Sequence, residues 1–252
     1  MALTVVLTAG GTREPIDDVR FISNAATGAL PAAMADALLE LGHRVHYIHG
    51  PGALLPGRAT LEVDLTALDA AALGTATARW LAESDARLAA MRAGRLTLYP
   101  IQTAQQVTQT LRDVCQTLQP DAVACAMAVA DFAPLPTAGK LSSRQASLTL
   151  ELTATAKAID GVKPAAPQTR LLGFKLLSAA TEAQLCEAAE RQIARTDANL
   201  VFCNDMRDLR QGLRRGLLVG AGGQVRARLE GGRGHAGLHA LARAIVAAWL
   251  AE

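Results

Sequence analysis

The sequence opens with a continuous run of apolar and β-branched residues, LTVVLTA at positions 3–9, which ends at Gly10-Gly11. A run of this kind is typical of a strand that is buried on both faces of a parallel sheet. Apolar residues at helical spacing follow at 30–42, and a second strand pattern follows at 43–50. Strand, helix and strand in this order predict a βαβ unit, which favours a parallel sheet covered by helices.

The same alternation continues along the chain. Further strands are predicted at 61–65, 95–101, 121–130, 169–177 and 198–205, and helices at 66–93, 103–120, 179–196 and 236–252. Residues 146–154 alternate like an edge strand, and residues 214–232 resemble a hairpin with a Gly-Gly turn. We therefore predict one α/β domain over residues 1–252, built on a doubly wound, mostly parallel, Rossmann-like sheet with a C-terminal hairpin.

The composition limits which binding partners and which cellular compartment the sequence predicts. The net charge is only +2 and the basic residues are not clustered, so the sequence predicts no nucleic-acid surface. Cysteines stand singly at 115, 125, 186 and 203, which indicates free thiols in a reducing compartment rather than a disulfide framework. No apolar run reaches about 18 residues and no basic-then-apolar leader is present, so we expect a soluble, cytoplasmic protein without membrane contact.

In a doubly wound sheet, ligands bind beyond the carboxyl ends of the strands. This rule gathers four segments into one expected site: 10–28, 131–143, 174–178 and 204–213. In the first segment, Gly10, Gly11 and Thr12 would let the backbone approach a phosphate, and Thr27-Gly28 lies where a helix N-terminus favours an anion. The glycine spacing matches neither the dinucleotide fingerprint nor the P-loop, and a turn that merely joins strand to helix is the alternative.

Charged residues near these segments could act on a phosphate. Lys140, in GKLSS, could neutralise charge that develops in a transition state, and Asp131, after an apolar strand, could bind Mg²⁺ or orient a ribose. Arg191 and Arg195 lie four residues apart and could clamp a polyphosphate together. For the lysine and the arginines, the alternative is an ordinary solvated side chain. The sequence has neither a serine nucleophile elbow nor an HExxH motif.

Four separated motifs, in order along the chain, resemble one family. The chain resembles the phosphopantothenate–cysteine ligases of coenzyme A biosynthesis in TAGGTREPIDDVRFISN, in AMAVADFAP with GKLSS after it, in LGFKLL and in VFCND. The resemblance covers essentially the whole chain. It is closest to the stand-alone ligases, because no decarboxylase domain is present and GFKLL replaces the GFAAE of enzymes that are fused to a flavin decarboxylase.

The resemblance implies a ligation that proceeds through an acyl-nucleotide. The carboxylate of 4′-phosphopantothenate would attack the α-phosphate of CTP or ATP, and pyrophosphate would leave with Mg²⁺. The amine of L-cysteine would then attack the acyl group and release the nucleoside monophosphate. Such chemistry needs no protein nucleophile, since positioning and charge neutralisation supply the rate.

The resemblance also implies roles for individual residues. Asn24 would bind the acyl-nucleotide, and Thr27 and Gly28 would bind the substrate beside it. Lys140 would be the catalytic lysine. The residues implied to bind the nucleotide are Gly10, Gly11 and Thr12 at the triphosphate, Ala126, Met127 and Phe174 at the base, Arg191 and Arg195 at the phosphates, and Asp131 at the nucleotide and the metal.

Departures from the family pattern leave other functions open. Ala25-Ala26 replaces residues that include hydroxyl donors, Pro31 replaces a glycine, and Thr155-Ala156-Lys157 replaces the Asn-Pro-Asp of fused enzymes. A divergent paralogue that binds nucleotide without turnover, or that takes another substrate, is the first alternative. A short-chain oxidoreductase is the second, although neither Tyr47 nor Tyr99 has the required lysine four residues later.

The C-terminal hairpin carries the prediction of an assembly. Within 206–232, apolar residues alternate at Leu217, Val219, Val225 and Leu229. An isolated hairpin is marginal in water and exposes its strand edges, so pairing with a second copy would satisfy them. The resemblance likewise implies a homodimer, and the alternative is a hairpin that packs on its own domain.

Overall fold

The computed structural model describes residues 1–57, 70–142 and 147–252. One sheet of eight strands forms the centre of the molecule. In chain order, its strands are β1 (Thr4–Ala9), β4 (Arg44–His49), β5 (Leu96–Pro100), β6 (Ala122–Cys125), β9 (Arg170–Leu177), β10 (Leu200–Asp205), β11 (Leu213–Val219) and β12 (Val225–Arg233). Two ribbons of two short strands complete the β-structure, β2 (Arg13–Pro15) with β3 (Phe21–Ser23) and β7 (Phe132–Pro134) with β8 (Leu152–Ala154).

The order across the sheet is β5-β4-β1-β6-β9-β10-β11-β12. The six strands from β5 to β10 are parallel, and β11 and β12 are antiparallel additions at one edge. The predicted doubly wound, mostly parallel sheet is therefore confirmed. The chain winds outward in opposite directions from β1 and β6, so the gap between these two strands is the switch point where such sheets bind ligands.

Helices cover both faces of the sheet, and each face has its own apolar core. Packed against one face are α1 (Ala29–Glu40), α2 (Ala70–Arg92) and α7 (Gly234–Leu250), and against the other are α3 (Ala104–Leu118), α4 (Val162–Ala165) and α5 (Glu182–Thr196). Capping boxes start α3 at Thr103 and α5 at Thr181, because each threonine hydroxyl accepts from an N–H in the first turn. These caps fix where both helices begin beside the sheet.

Several predicted elements have different limits in the structure. The strand predicted at 121–130 ends at Cys125, because the N–H groups of Met127, Ala128 and Ala130 bond to the Thr8 side chain and to the first loop instead of continuing the ladder. The loop predicted at 10–28 contains the β2–β3 ribbon, and within 147–154, the described part of the strand predicted at 146–154, only Leu152–Ala154 is paired. Segment 174–178 is strand as far as Leu177, and 204–213 contains α6 (Met206–Arg210). The strand predicted at 61–65 lies outside the described residues.

The hairpin at the C-terminal side is confirmed, with its turn at Ala221–Gly223, but it does not stand alone. Its first strand, β11, pairs with β10, so the hairpin extends the central sheet. Leu217 and Val219 are buried inside the chain rather than on a free face. The premise that an isolated hairpin needs a second copy was therefore wrong.

Two further features follow from the described residues. All four cysteines are free thiols, and Cys115 and Cys203 are buried. Burial raises the pKa of each of these two thiols to about 12. Among the described helices, none combines the length and the hydropathy that a membrane crossing requires.

Candidate functional site

The loops that follow β1 and β6 are bonded to each other at the switch point. The N–H of Ala128 donates to the carbonyl of Gly10 at 2.8 Å, and the N–H of Met127 donates to the Thr8 hydroxyl at 3.1 Å. The N–H of Ala130 donates to the hydroxyl of Thr12, which is fully buried, at 3.0 Å. Thr12 therefore shapes the site by holding the neighbouring loop.

Asn24 joins the same two loops from the outside. Its side-chain amide donates to the carbonyls of Ala128 and Val129, at 3.3 Å each. Asn24 itself is exposed, and its side-chain oxygen accepts no hydrogen bond from the described residues. The predicted intermediate-binding asparagine thus belongs to the first loop and lies against the loop after β6, with a side-chain oxygen that a ligand can reach.

Glycines allow the backbone of the first loop to approach its neighbours closely. Gly10 has a φ of +79°, and a Cβ there would lie 2.6 Å from the Cβ of Ala53. A Cβ on Gly11 would lie 2.7 Å from the carbonyl oxygen of Asn24. Gly28 precedes α1 and provides no side-chain cap, but the Ala29 N–H donates to the Thr27 hydroxyl at 3.4 Å and Pro31 has no N–H. The helix start therefore offers the Leu30 N–H and a positive dipole end beside this loop.

The polar residues between positions 13 and 20 fasten other loops to the first one. Glu14 is buried, and its carboxylate accepts from the N–H of Ala104 at the start of α3 at 2.8 Å. Asp17 accepts from the N–H of Leu141 at 3.0 Å, and Arg20 donates to the Leu141 carbonyl at 2.7 Å. The Arg20 guanidinium, 2.6 Å from Asp17, and backbone N–H donors hold the pKa of the Asp17 carboxyl well below its usual range.

A cavity of about 240 Å³ opens beside this junction, at the carboxyl ends of β1, β6 and β9. Its apolar lining includes Val107, Leu111, Met127 and Phe174. The Phe174 ring packs against the buried Phe202 with 5.8 Å between ring centroids. Four larger cavities, of about 380, 530, 540 and 580 Å³, lie elsewhere. Segment 204–213 lines the largest of them, but no residue with a predicted role in binding nucleotide or substrate or in catalysis lines any of the four. The smaller cavity is therefore the candidate site.

Charged side chains line one side of this cavity. Lys157 pairs with Asp131 at 2.5 Å, Arg195 pairs with Asp160, and Lys175 also lines the cavity. Among the lining residues the cations are Lys157, Lys175 and Arg195, and Asp131 is the carboxylate. An excess of cations beside an apolar pocket with an aromatic ring suits a nucleotide, which has a flat base and an anionic tail.

The predicted site residues divide into three groups by position. Met127, Asp131, Phe174 and Arg195 line the cavity. The residues at the adjoining loop junction are Gly10, Gly11, Thr12, Asn24, Thr27 and Gly28, with Ala126 just before the cavity-lining part of the second loop. Lys140 and Arg191 do not line the cavity: Lys140 lies on the exposed segment that Asp17 and Arg20 hold, and Arg191 pairs with Glu187.

The donors present do not fit a Mg²⁺ ion held by the protein. Asp131 is the one carboxylate among the residues that line the cavity, and the Lys157 ammonium already binds it. Across residues 1–57, 70–142 and 147–252, no three or more histidine, cysteine, aspartate or glutamate side chains form a group that could hold a metal. Mg²⁺ usually keeps several waters and is bound by one or two carboxylates together with substrate phosphates, so Asp131 would need the phosphates of a nucleotide to hold the ion.

The lining residues that were not predicted from the sequence include three with long polar side chains: Lys157, Lys175 and Gln192. Gln192 follows the predicted Arg191 by one position. The buried residues of α5, Leu185, Ala188 and Ala189, could have shown that position 192 faces the sheet. Gly173 was a second signal, because a Cβ there would lie 2.4 Å from the Gln192 amide nitrogen.

Comparison with known proteins gives a family match over most of the chain. A sequence model of the DNA/pantothenate metabolism flavoprotein C-terminal domain matches residues 2–91 and 66–217. The chain is 28% identical to the coenzyme A biosynthesis bifunctional protein CoaBC of Thermococcus kodakarensis over 81% of its length, and 29% identical to CoaBC of Bacillus subtilis over the same share. It spans only 41% and 40% of the lengths of these two relatives.

Solved structures share the fold. The DNA/pantothenate metabolism flavoprotein from Streptococcus pneumoniae superposes with a TM-score of 0.73 and 23% identity, covering 99% of this chain and 97% of that one. A Cab2 mutant in complex with phosphopantothenate-cysteine also gives a TM-score of 0.73, with 20% identity, covering 99% of this chain and 88% of that one. At these identities the likeness is one of fold.

Proposed function

Because the chain belongs to the family of the DNA/pantothenate metabolism flavoprotein C-terminal domain, we propose that it ligates L-cysteine to 4′-phosphopantothenate with a nucleoside triphosphate, in coenzyme A biosynthesis. One observation carries the proposal: Asn24 and the first glycine loop bond directly to the loop after β6, beside a cavity that fits a nucleotide. The relatives named CoaBC and the Cab2 complex with phosphopantothenate-cysteine agree with this substrate class.

The proposed reaction has two steps and balances without a protein nucleophile. A carboxylate oxygen of phosphopantothenate attacks the α-phosphorus, the bond to the β-phosphate oxygen breaks, and pyrophosphate leaves. The amine of cysteine then attacks the acyl carbon and loses a proton, and the bond to the nucleotide oxygen breaks. The product is 4′-phosphopantothenoylcysteine with a nucleoside monophosphate. Holding the reactants in line contributes most of the rate.

The residues of the site suit these steps. Phe174 and the Met127 backbone would hold the base, and the start of α1 after Gly28 would face the phosphates. Asn24 would hold the acyl-nucleotide, and Lys140 would neutralise charge on the reacting phosphate. CTP and ATP are both open as co-substrates, since no lining side chain distinguishes the two bases. A homodimer and a cytoplasmic location are also part of the proposal.

A pyrophosphate-release assay tests this function. The protein is mixed with phosphopantothenate, cysteine and either CTP or ATP, and the product is identified by mass. We expect pyrophosphate release that requires phosphopantothenate and a product that requires cysteine. Nucleotide binding without release of pyrophosphate would favour the non-catalytic paralogue and overturn the proposed ligation.

A further inference from the structure

Lys157 is attached to the candidate site by the segment that precedes it. The hydroxyl of Thr155 donates to the carbonyl of Ala130 at 2.5 Å, and the N–H of Thr155 donates to the carbonyl of Asp131 at 3.0 Å. Two residues later, the Lys157 ammonium donates to a carboxylate oxygen of Asp131 at 2.5 Å. These two hydrogen bonds of Thr155 hold the segment against the loop after β6. The ion pair between Lys157 and Asp131 therefore forms part of the wall of the site.

The ammonium of Lys157 has donors left for a ligand. It carries three N–H groups, and the structure assigns one of them to Asp131. The side chain of Lys157 is 47% exposed, and the residue lines the cavity together with Phe174 and Arg195. A ligand oxygen in this cavity could therefore bind the ammonium without displacing a buried group.

We propose that Lys157 is a phosphate-binding residue of the nucleotide site, whose ammonium neutralises the Asp131 carboxylate and donates to a phosphate of a bound nucleotide. This inference rests on the proposed function, because it concerns the same nucleotide. The charges support it: a free Asp131 would repel a polyphosphate, whereas the ion pair removes this repulsion and leaves Lys175 as an additional cation, beside an Arg195 that pairs with Asp160. Any Mg²⁺ is then held by the phosphates of the nucleotide and not by Asp131.

The test compares nucleotide binding in Lys157→Gln, Lys157→Arg and the wild-type chain by calorimetry, without metal in EDTA and then with Mg²⁺. The probes are CTP and ATP, with cytidine and adenosine as ligands that lack phosphates. Lys163→Gln is the matched control, because the Lys163 ammonium bonds to the carbonyls of Thr169 and Pro167 and does not line the cavity. Thermal melting checks that each variant is folded.

Without metal, we expect Lys157→Gln to bind the triphosphates about tenfold more weakly or worse, the scale of a lost charge-assisted hydrogen bond. Its nucleoside affinity should stay within about twofold of the wild type. Lys157→Arg should keep most of the triphosphate affinity, and Lys163→Gln should resemble the wild type. Mg²⁺ should raise the triphosphate affinity of Lys157→Gln by a larger factor than that of the wild type, since the Asp131 carboxylate is unpaired in the variant and can approach the ion.

The outcomes separate this inference from the proposed function. If the wild type binds triphosphates but Lys157→Gln binds them equally well, or loses nucleoside and triphosphate affinity alike, the role of Lys157 is overturned and the proposed ligation is untouched. An equal effect of Mg²⁺ on both proteins would also overturn it. If the wild type binds no triphosphate under any condition, both proposals fail.

Discussion

Single side chains in segment 13–20 explain why the first loop is long and polar. The sequence suggested a loop that wraps phosphates, yet Glu14 and Asp17 bind backbone N–H groups of other loops. Their partners, Ala104 and Leu141, lie 90 and 124 positions away. No local pattern encodes such pairs, so the sequence could not show what these carboxylates hold.

Asp17→Asn tests the fastening of the Lys140 segment. The folded state lowers the pKa of Asp17, so its ionised form stabilises the protein above the unfolded pKa of about 3.9, and this contribution is lost as the pH falls below that value. Urea denaturation should therefore find the variant less stable than the wild type at pH 7, with a smaller difference at pH 3. Asp18→Asn is the control, because Asp18 is exposed. An equal difference at both pH values would contradict the role given to the charge.

Lys140→Ala tests the catalytic role that the motif implies. Loss of one preorganised positive charge at a transition state costs about a hundredfold or more in turnover, whereas ground-state binding of the nucleotide should weaken less. Turnover is measured by pyrophosphate release and affinity by calorimetry, with Lys163→Ala as the control. Turnover equal to that of the wild type would remove Lys140 from the mechanism.

At the level of elements, periodicity was informative for long segments and misleading for short ones. All six parallel strands were predicted: central strands such as β1 and β6 give continuous apolar runs, and β4 and β5 alternate polar and apolar residues. The same rule extended β6 too far, since residues 126–130 are apolar but leave the ladder: Ala128 and Ala130 donate to the first loop, and Met127 donates to the side chain of Thr8. The two ribbons have strands of three residues each, which are too short for any period to show.

The packing of the first loop gives a prediction with an internal control. Gly10 and Gly42 both have φ near +80°, so alanine at either position costs about 1 kcal/mol in backbone strain. Only at Gly10 would the new Cβ also meet a neighbour, at 2.6 Å from the Cβ of Ala53. A Cβ added at Gly42 would have no such neighbour within 4 Å. Gly10→Ala should therefore lower the free energy of unfolding more than Gly42→Ala and should alone weaken nucleotide binding. Equal effects in denaturation and calorimetry would show that close approach at Gly10 is unimportant.

At the level of the whole molecule, the order of the strands converts separated motifs into one site. β1 and β6 are neighbours in the sheet although more than a hundred residues separate them, so the loops after them meet. The rule for doubly wound sheets predicted this convergence from the sequence. It could not predict which side chains reach the cavity. Lys157 belongs to the irregular segment after β8, which has no periodicity, and Arg191 pairs with Glu187 on α5, whereas the next residue, Gln192, lines the cavity.

The last prediction concerns where two copies would meet. Val219 is fully buried, so Val219→Lys should unfold the chain and lower its melting temperature rather than separate a dimer. Large apolar side chains are exposed instead on and beside the β7–β8 ribbon, where Phe132 and Leu135 are 55% and 70% exposed. A second copy of this chain would cover them, since a cluster of exposed apolar side chains is typical of an interaction surface.

We therefore expect light scattering at micromolar concentration to give twice the 26.3 kDa of one chain. The double variant Phe132→Ser with Leu135→Ser should shift this mass toward the monomer without a large change in melting temperature, because both side chains are already exposed. Leu41→Ser is the matched control, since Leu41 is 63% exposed but lies at the end of α1, and it should leave the dimer intact. A wild-type monomer with full activity, or a double variant that still dimerises, would contradict this assembly.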